Sequence, residues 1–237
     1  MKRLFLLVII AIFALSNVKA QGISFGLRAI PTFNWATVSD TIADFNYESD
    51  GTKLGIGFGP SLRYKMSDNF NIDISGIFTW QKMGINIKND PKNNNVVTNL
   101  SEKYKMQFVQ VPLNLNGQFD VADDFQALIN FGVGAGILLK SSRLVTDNET
   151  LGVYSSNYDT RIKMLRFVDF YLTAGAGVVY NLQDNLHLSL TVQYNNGIID
   201  GWADSKNTIY ETSTEINTPL DLKHKNVALS LGFYIDL

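Results

Sequence analysis

The sequence predicts an all-β chain, an eight-stranded antiparallel up-and-down transmembrane β-barrel with short periplasmic turns and long extracellular loops. Three observations carry that expectation. Eight stretches alternate apolar with polar or small residues at period two, which sends the two kinds to opposite faces of a strand. Their connections alternate long and short, so neighbouring antiparallel strands have all long loops at one end and all short turns at the other. Beyond the N-terminal apolar run, no stretch reaches the ~20 residues that a spanning helix needs. A membrane protein with this sequence therefore crosses as a closed sheet.

The N-terminus is set aside first. Lys2 and Arg3 precede an apolar run from Leu4 to Leu15, and Ser16 to Ala20 offers a small residue at the cut. That is the pattern of a secretory signal peptide over residues 1–20, leaving 21–237 as one barrel domain. The chain has no Cys, which removes disulfides, thiolate chemistry and a Cys-linked lipid anchor. Without Lys2, Arg3 and Lys19 the remainder carries 17 basic against 22 acidic residues. That balance argues against a nucleic-acid partner, which wants a basic patch.

Strand one runs from Gly22 to Trp35, with Phe25, Leu27 and Phe33 facing away from Ser24, Gly26, Arg28, Thr32 and Asn34. A polar loop over about Thr37–Thr52 leads to strand two, about Lys53–Met66, in which Leu54, Ile56, Phe58 and Leu62 oppose Gly55, Gly57, Gly59, Ser61 and Arg63. Ser67-Asp68-Asn69 reads as a tight turn. Strand three, Phe70 to about Ile87, sets Ile72, Ile74, Phe78 and Trp80 against Asn71, Asp73, Ser75, Thr79 and Gln81. A long polar connection follows to about Glu102.

Strand four, about Lys103–Phe119, opposes Val109, Val111, Leu113 and Leu115 to Gln110, Asn114, Asn116 and Gln118. Strand five, Phe125 to about Lys140, follows a short turn, and the next connection is the long stretch from Ser141 to about Lys163. Strand six carries Val168, Phe170, Leu172, Val178 and Tyr180 opposite Asp169, Tyr171, Thr173, Gly175 and Gly177. Strand seven, Asn185 to about Gly197, alternates Leu186, Leu188, Leu190 and Val192 with His187, Ser189, Thr191 and Gln193. The longest loop, about Ile198–Leu222, precedes strand eight, Asn226–Leu237, whose alternation is strict.

Alternation alone does not say which face points outwards, because a soluble barrel of eight strands holds its apolar side chains inside. The polar face decides. Facing water, it would be dense in Lys and Glu. Mid-strand it is Gly, Ser, Thr, Asn and Gln instead, which suits a narrow lumen. Aromatics near both strand ends fit the two girdles of a barrel surrounded by lipid.

Strand one from Phe25-Gly26-Leu27-Arg28-Ala29 onward and strand four, Phe108-Val109-Gln110-Val111-Pro112-Leu113-Asn114-Leu115, resemble the PorT-type outer-membrane β-barrel family of Gram-negative bacteria. The shared mark is an aromatic-x-x-aliphatic-Pro-Leu strand in mid-sequence. Strand one departs from the pattern at Ile30-Pro31, where relatives often carry Gly. The resemblance implies an outer-membrane barrel. The founding member is associated with a secretion machine, and no residue motif carries that role to this chain. The last strand also resembles the signal by which such barrels are recognised for insertion, in Ser230, Gly232, Ile235 and Leu237. The barrel-assembly machinery is thus an expected partner during biogenesis, and outer-membrane lipids are expected neighbours thereafter.

Alternation sends the charges of Arg28, Arg63, Asp73, Asp169, His187 and Asp236 into the lumen. An eight-stranded barrel has just enough interior for side chains, and buried charges need partners, so a paired structural plug is expected rather than an ion path. Counting from the turn places Arg63 opposite Asp73. Gly55-x-Gly57-x-Gly59, Gly132-x-Gly134-x-Gly136 and Gly175-x-Gly177 lack the strand-to-helix setting of a nucleotide loop and read as room for long side chains opposite. His187-Leu188-Ser189 resembles the His-x-Ser of lipid A deacylases, but it lies at the periplasmic rim, away from the outer leaflet. No catalytic activity, metal or cofactor is expected. Tyr154, Tyr158, Trp202 and Tyr210 in the two longest loops are the expected anchors for a protein or glycan partner. The leading role is structural or interactive. A component of a secretion or envelope-assembly complex comes second, and a lipid-modifying enzyme or small pore trails.

Overall fold

The computed structural model describes residues 22–38, 45–89, 99–147, 153–156, 167–199 and 222–237. The expected signal peptide lies outside them. The strands are β1 (Ile23–Val38), β2 (Phe45–Ser49), β3 (Lys53–Lys65), β4 (Phe70–Ser75), β5 (Ile77–Asn89), β6 (Asn99–Ala122), β7 (Phe125–Asp147), β8 (Val153–Ser156), β9 (Val168–Gln183), β10 (Leu186–Gly197) and β11 (Leu222–Asp236).

Pairing is antiparallel throughout these strands and returns on itself. β1 pairs with β3, β3 with β4 and β5, these with β6, then β7, β9, β10 and β11 follow, and β11 closes on β1 with Ser24 opposite Asp236 and Phe33 opposite Val227. The eleven segments make eight walls. β4 and β5 are one wall interrupted at Gly76, β2 continues β3 upward along β5, and β8 pairs with the far end of β7.

Two stretches expected as loops hold strand instead, β2 within Thr37–Thr52 and β8 within Ser141–Lys163. β6 and β7 also run beyond their expected ends, to 24 and 23 residues, roughly twice the ~10 that a tilted membrane strand needs. Outside lipid a ladder needs only backbone partners, so polar side chains extend it without the apolar alternation that would announce a strand. Two irregularities mark the passage into this extension. Between Ser49 and Ile56 the β3 side advances seven residues while β5 advances five, and Gly51 absorbs the excess at φ 69°. In β7 the partner shifts from Leu138–Phe108 to Lys140–Gln107. Leu139 and Lys140 are both exposed there, and Ser141 is buried after them.

The partition of side chains is the reverse of a soluble protein's. Leu27, Leu54, Ile56, Phe58, Phe131, Val133, Val192 and Leu231 are each more than half exposed. The buried set meanwhile holds Arg28, Asn34, Ser61, Asp73, Asn114, Asn130 and Ser230. So large an apolar surface has no stable place in water, and lipid covers it. The belt is bounded by aromatic pairs at both ends. Phe125–Tyr180 and Phe70–Phe119 lie at the short-turn end, with ring centroids 4.7 and 6.4 Å apart, and Phe78–Trp80 and Trp35–Tyr194 at the other, at 4.5 and 6.2 Å.

Gly59 is where the interrupted wall presses inward. A Cβ there would stand 1.9 Å from the Gly76 carbonyl oxygen, whereas one on Gly136 would meet nothing nearer than the Gln110 side chain at 3.4 Å. Gly59→Ala should therefore cost about 1–3 kcal/mol and lower the urea midpoint of the refolded barrel. Gly136→Ala should leave that midpoint within error of the parent.

Candidate functional site

The lumen is organised around one carboxylate. Asp73 on β4 is 2% exposed, and four donors from four strands reach it. Its Oδ1 accepts from the Arg28 guanidinium of β1 at 3.4 Å and from the Ser75 hydroxyl at 3.0 Å. Its Oδ2 accepts from the Ser61 hydroxyl of β3 at 2.8 Å and from the Tyr234 hydroxyl of β11 at 2.9 Å. Arg28 donates its other N–H groups to Ser75 at 3.1 Å, Ser230 at 2.8 and 3.1 Å and Gln193 at 3.2 Å, so its whole fork is bound.

Arg63 stands opposite Asp73 in the β3–β4 register, yet its Nε stays 3.9 Å from the carboxylate. Its guanidinium lies over the Tyr234 ring instead, 3.8 Å from the centroid, as a cation–π contact. The expected Arg63–Asp73 pair is thus a looser neighbour than Arg28, because the ring of Tyr234 takes the intervening space. Tyr234 was not among the residues singled out from sequence, although a tyrosine between Gly232 and Asp236 on the small face is a visible anomaly. Glycines make its room: a Cβ on Gly26 would lie 2.5 Å from the ring. Tyr171 is housed the same way over Gly134, where a Cβ would lie 2.1 Å from its Cζ.

The other lumen charges divide. His187 and Asp236 meet at the short-turn rim, Nε2 to Oδ2 at 3.0 Å, with Nδ1 2.9 Å from Asn181 Oδ1. Ser24 donates to the second Asp236 oxygen at 2.6 Å. With both ring nitrogens engaged, His187 has none for Ser189, and the His-x-Ser pair is not assembled as nucleophile and base. Asp169 departs from the expectation of pairing. It forms no ion pair among the described residues, and its carboxylate accepts from the Phe170 backbone. It sits opposite Gly136, where the wall offers no side chain to meet it.

The lumen's upper part adds apolar side chains to the neutral polar filling expected, which is present in Thr32, Asn34, Thr79, Gln81 and Asn226. Ile30, Ile77 and Ala228 form an apolar layer, and Met83, Ile85, Phe108 and Leu138 are buried beyond it. In the extension Glu102 is buried in an ion pair with Arg143 and accepts from the Tyr104 hydroxyl. Around Asp73 the remaining free volume is about 10 Å³, room for about one water.

Of the expected insertion signal, Ser230 and Gly232 face the lumen, the one bound by Arg28 and the other making space beside Tyr234, while Ile235 and Leu237 face outward. Tyr158, Trp202 and Tyr210 lie outside the described residues. Tyr154 is placed by its backbone alone, opposite Val145 in the β7–β8 pair.

Removing the Asp73 charge leaves two buried guanidiniums without their counter-ion. Asp73→Asn should destabilise the barrel by roughly 3–5 kcal/mol, read as a lowered urea midpoint after refolding into lipid vesicles.

A family model for the outer membrane protein beta-barrel domain matches residues 19–201 of this chain. Curated proteins gave no match. Among solved structures, Neisserial surface protein A is 15% identical, with 91% of this chain and 99% of that one covered at a TM-score of 0.41. The attachment invasion locus protein of Yersinia pestis is 14% identical over 90% and 99%, with a TM-score of 0.35. The outer membrane protein OprG from Pseudomonas aeruginosa is 10% identical over 91% and 97%, with a TM-score of 0.45. With its closed eight-walled ring and a family match over most of its length, the chain belongs to the outer membrane protein beta-barrel domain family and resides in the outer membrane.

Proposed function

We propose that this barrel is a sealed element of the outer membrane, structural or interactive in role, whose working surface is its extracellular end. One observation carries the reading: at the level of Asp73 the polar cluster leaves a cavity of only about 10 Å³. A pore needs a continuous wet path, and here five side chains from four walls interlock across the section. The long strands β6 and β7 add support, because their extra length stands beyond the lipid belt and is available to a partner. In planar bilayers the purified barrel should conduct at background. Removing the interlocked pair with Arg63→Ala and Tyr234→Ala together should raise conductance several-fold, and substantial conductance by the parent would end the sealed reading.

A second reading is favoured by the Phe108–Leu115 strand, whose pattern fits a PorT-type member and with it a place in a secretion or envelope-assembly complex. Phe108 and Pro112 of that pattern are buried and point inward, leaving Val111, Leu113 and Leu115 as its outward contribution. In-cell crosslinking from the exposed short turns, at Asp123 and Asp184, should recover a defined envelope protein on this reading. Recovery of lipid and self alone would count against it.

A further inference from the structure

Above the lipid belt, the outer face of the extension is basic. Lys82 on β5 and Lys105 on β6 are direct cross-strand partners, and both are exposed. Lys103, also exposed, lies two residues from Lys105 on the same face. Like charges set directly opposite one another destabilise a sheet, and the nearby Asp50 carboxylate, over Gly84 opposite Lys103, is already held by Lys53 at 2.9 Å. Among the described residues none of these three lysines makes an ion pair. The extension's other lysines contrast with them: Lys88 is held by Glu48 at 2.8 Å and Lys53 by Asp50 at 2.9 Å.

The three lysines line a groove of about 470 Å³, together with Lys53, Ser142 and Leu144. Its height is fixed by what lies below. Trp80, 40% exposed and edge-on to Phe78 at 4.5 Å, precedes Lys82 by two residues on the same face. Two residues of strand span roughly 7 Å, and tryptophan marks the depth at which hydrocarbon meets head groups. On β6 the same outward row descends from Lys103 and Lys105 through Gln107 to Val109, Val111, Leu113 and Leu115. Cationic groove and apolar wall are therefore continuous, with the change of character falling at the head-group level.

We propose that this groove binds the phosphate-bearing head group of an outer-leaflet lipid, whose acyl chains lie along Val109, Val111 and Leu113. Lys82 and Lys105 close on one phosphate from opposite strands, and the anion turns their repulsion into a clamp. Lys103 adds a third cation, and the Ser142 hydroxyl, opposite Lys105, a neutral donor. An acidic protein segment would satisfy the charge but would have no use for the apolar row beneath. That continuity decides for a lipid.

The test uses the full mature barrel refolded in nanodiscs of zwitterionic lipid, with a minor fraction of phosphorylated lipid A or of the same lipid dephosphorylated. Retained lipid is read by native mass spectrometry, and heat-modifiable migration reports folding. Each lysine near an anionic surface contributes about fivefold in affinity. The variant carrying Lys82→Gln, Lys103→Gln and Lys105→Gln should therefore lose phosphorylated lipid A by on the order of a hundredfold, while Lys88→Gln binds as the parent does. Equal retention by the triple variant, or equal retention of dephosphorylated lipid, overturns the proposal. So does displacement of the lipid by millimolar inorganic phosphate, which would mark a site for the free anion, or tighter binding of an acidic peptide than of the lipid.

Discussion

A carboxylate withdrawn from water at the centre of a lipid-surrounded barrel is tolerable only if its lone pairs are filled and its charge is matched. Asp73 meets that demand with donors from β1, β3, β4 and β11. The last of these strands is remote in sequence from the rest: Tyr234 and Asp73 are separated by 161 positions. The network can therefore exist only once the last strand has docked on the first. Ring closure and charge satisfaction are in this sense linked, since an open sheet ending at β1 would deprive Asp73 of the Tyr234 donor and Arg28 of its Ser230 and Gln193 acceptors.

The same demand shapes residues that carry no charge. Tyr234 has to cross part of the lumen to reach Asp73, and an eight-stranded interior has no spare width. Gly26 and Gly232 yield the space, with a Cβ at either position falling 2.5–2.6 Å from the ring or its neighbours. Arg63 then packs flat on the ring, its charge near Asp73 but directed through an aromatic face. One tyrosine thus accounts for two glycines, a cation–π contact and the displacement of the expected ion pair. Higher in the lumen the problem is solved differently. With no charge to satisfy, Ile30, Ile77 and Ala228 pack as an ordinary core layer.

The sequence makes the walls legible and the lumen only partly so, for a physical reason. Period-two alternation follows directly from facing lipid on one side, so strands such as Ile23–Val38 and Leu186–Gly197 announce themselves, as does the closing pair. Register near a tight turn is also countable, which is how Arg63 comes to stand opposite Asp73. Contacts between strands not joined by a tight turn are not countable: nothing local says that Arg28 on β1 reaches the β4 carboxylate, or that Asp169 faces a glycine. The extension was illegible for the opposite reason. Beyond lipid no face need be apolar, so β2, β8 and the far ends of β6 and β7 look like loop.

That extension changes how the molecule presents itself. β6 has 24 residues where β10 has 12, and the added length belongs to the walls built from β2, β5, β6, β7 and β8. Its two faces do different work. The inner face buries Glu102 against Arg143 and Tyr104 and sets Met83 and Ile85 above the apolar layer, so it prolongs the plug. The outer face switches within two residues from Trp80 to Lys82, so it pins the height at which the barrel sits. A bulge at Leu139–Lys140 lets one strand serve both, by turning Ser141 inward just where the lipid ends. A wall raised on one side thus presents two chemistries, an inner face packed around Glu102 and an outer face that turns from apolar to basic just above Trp80.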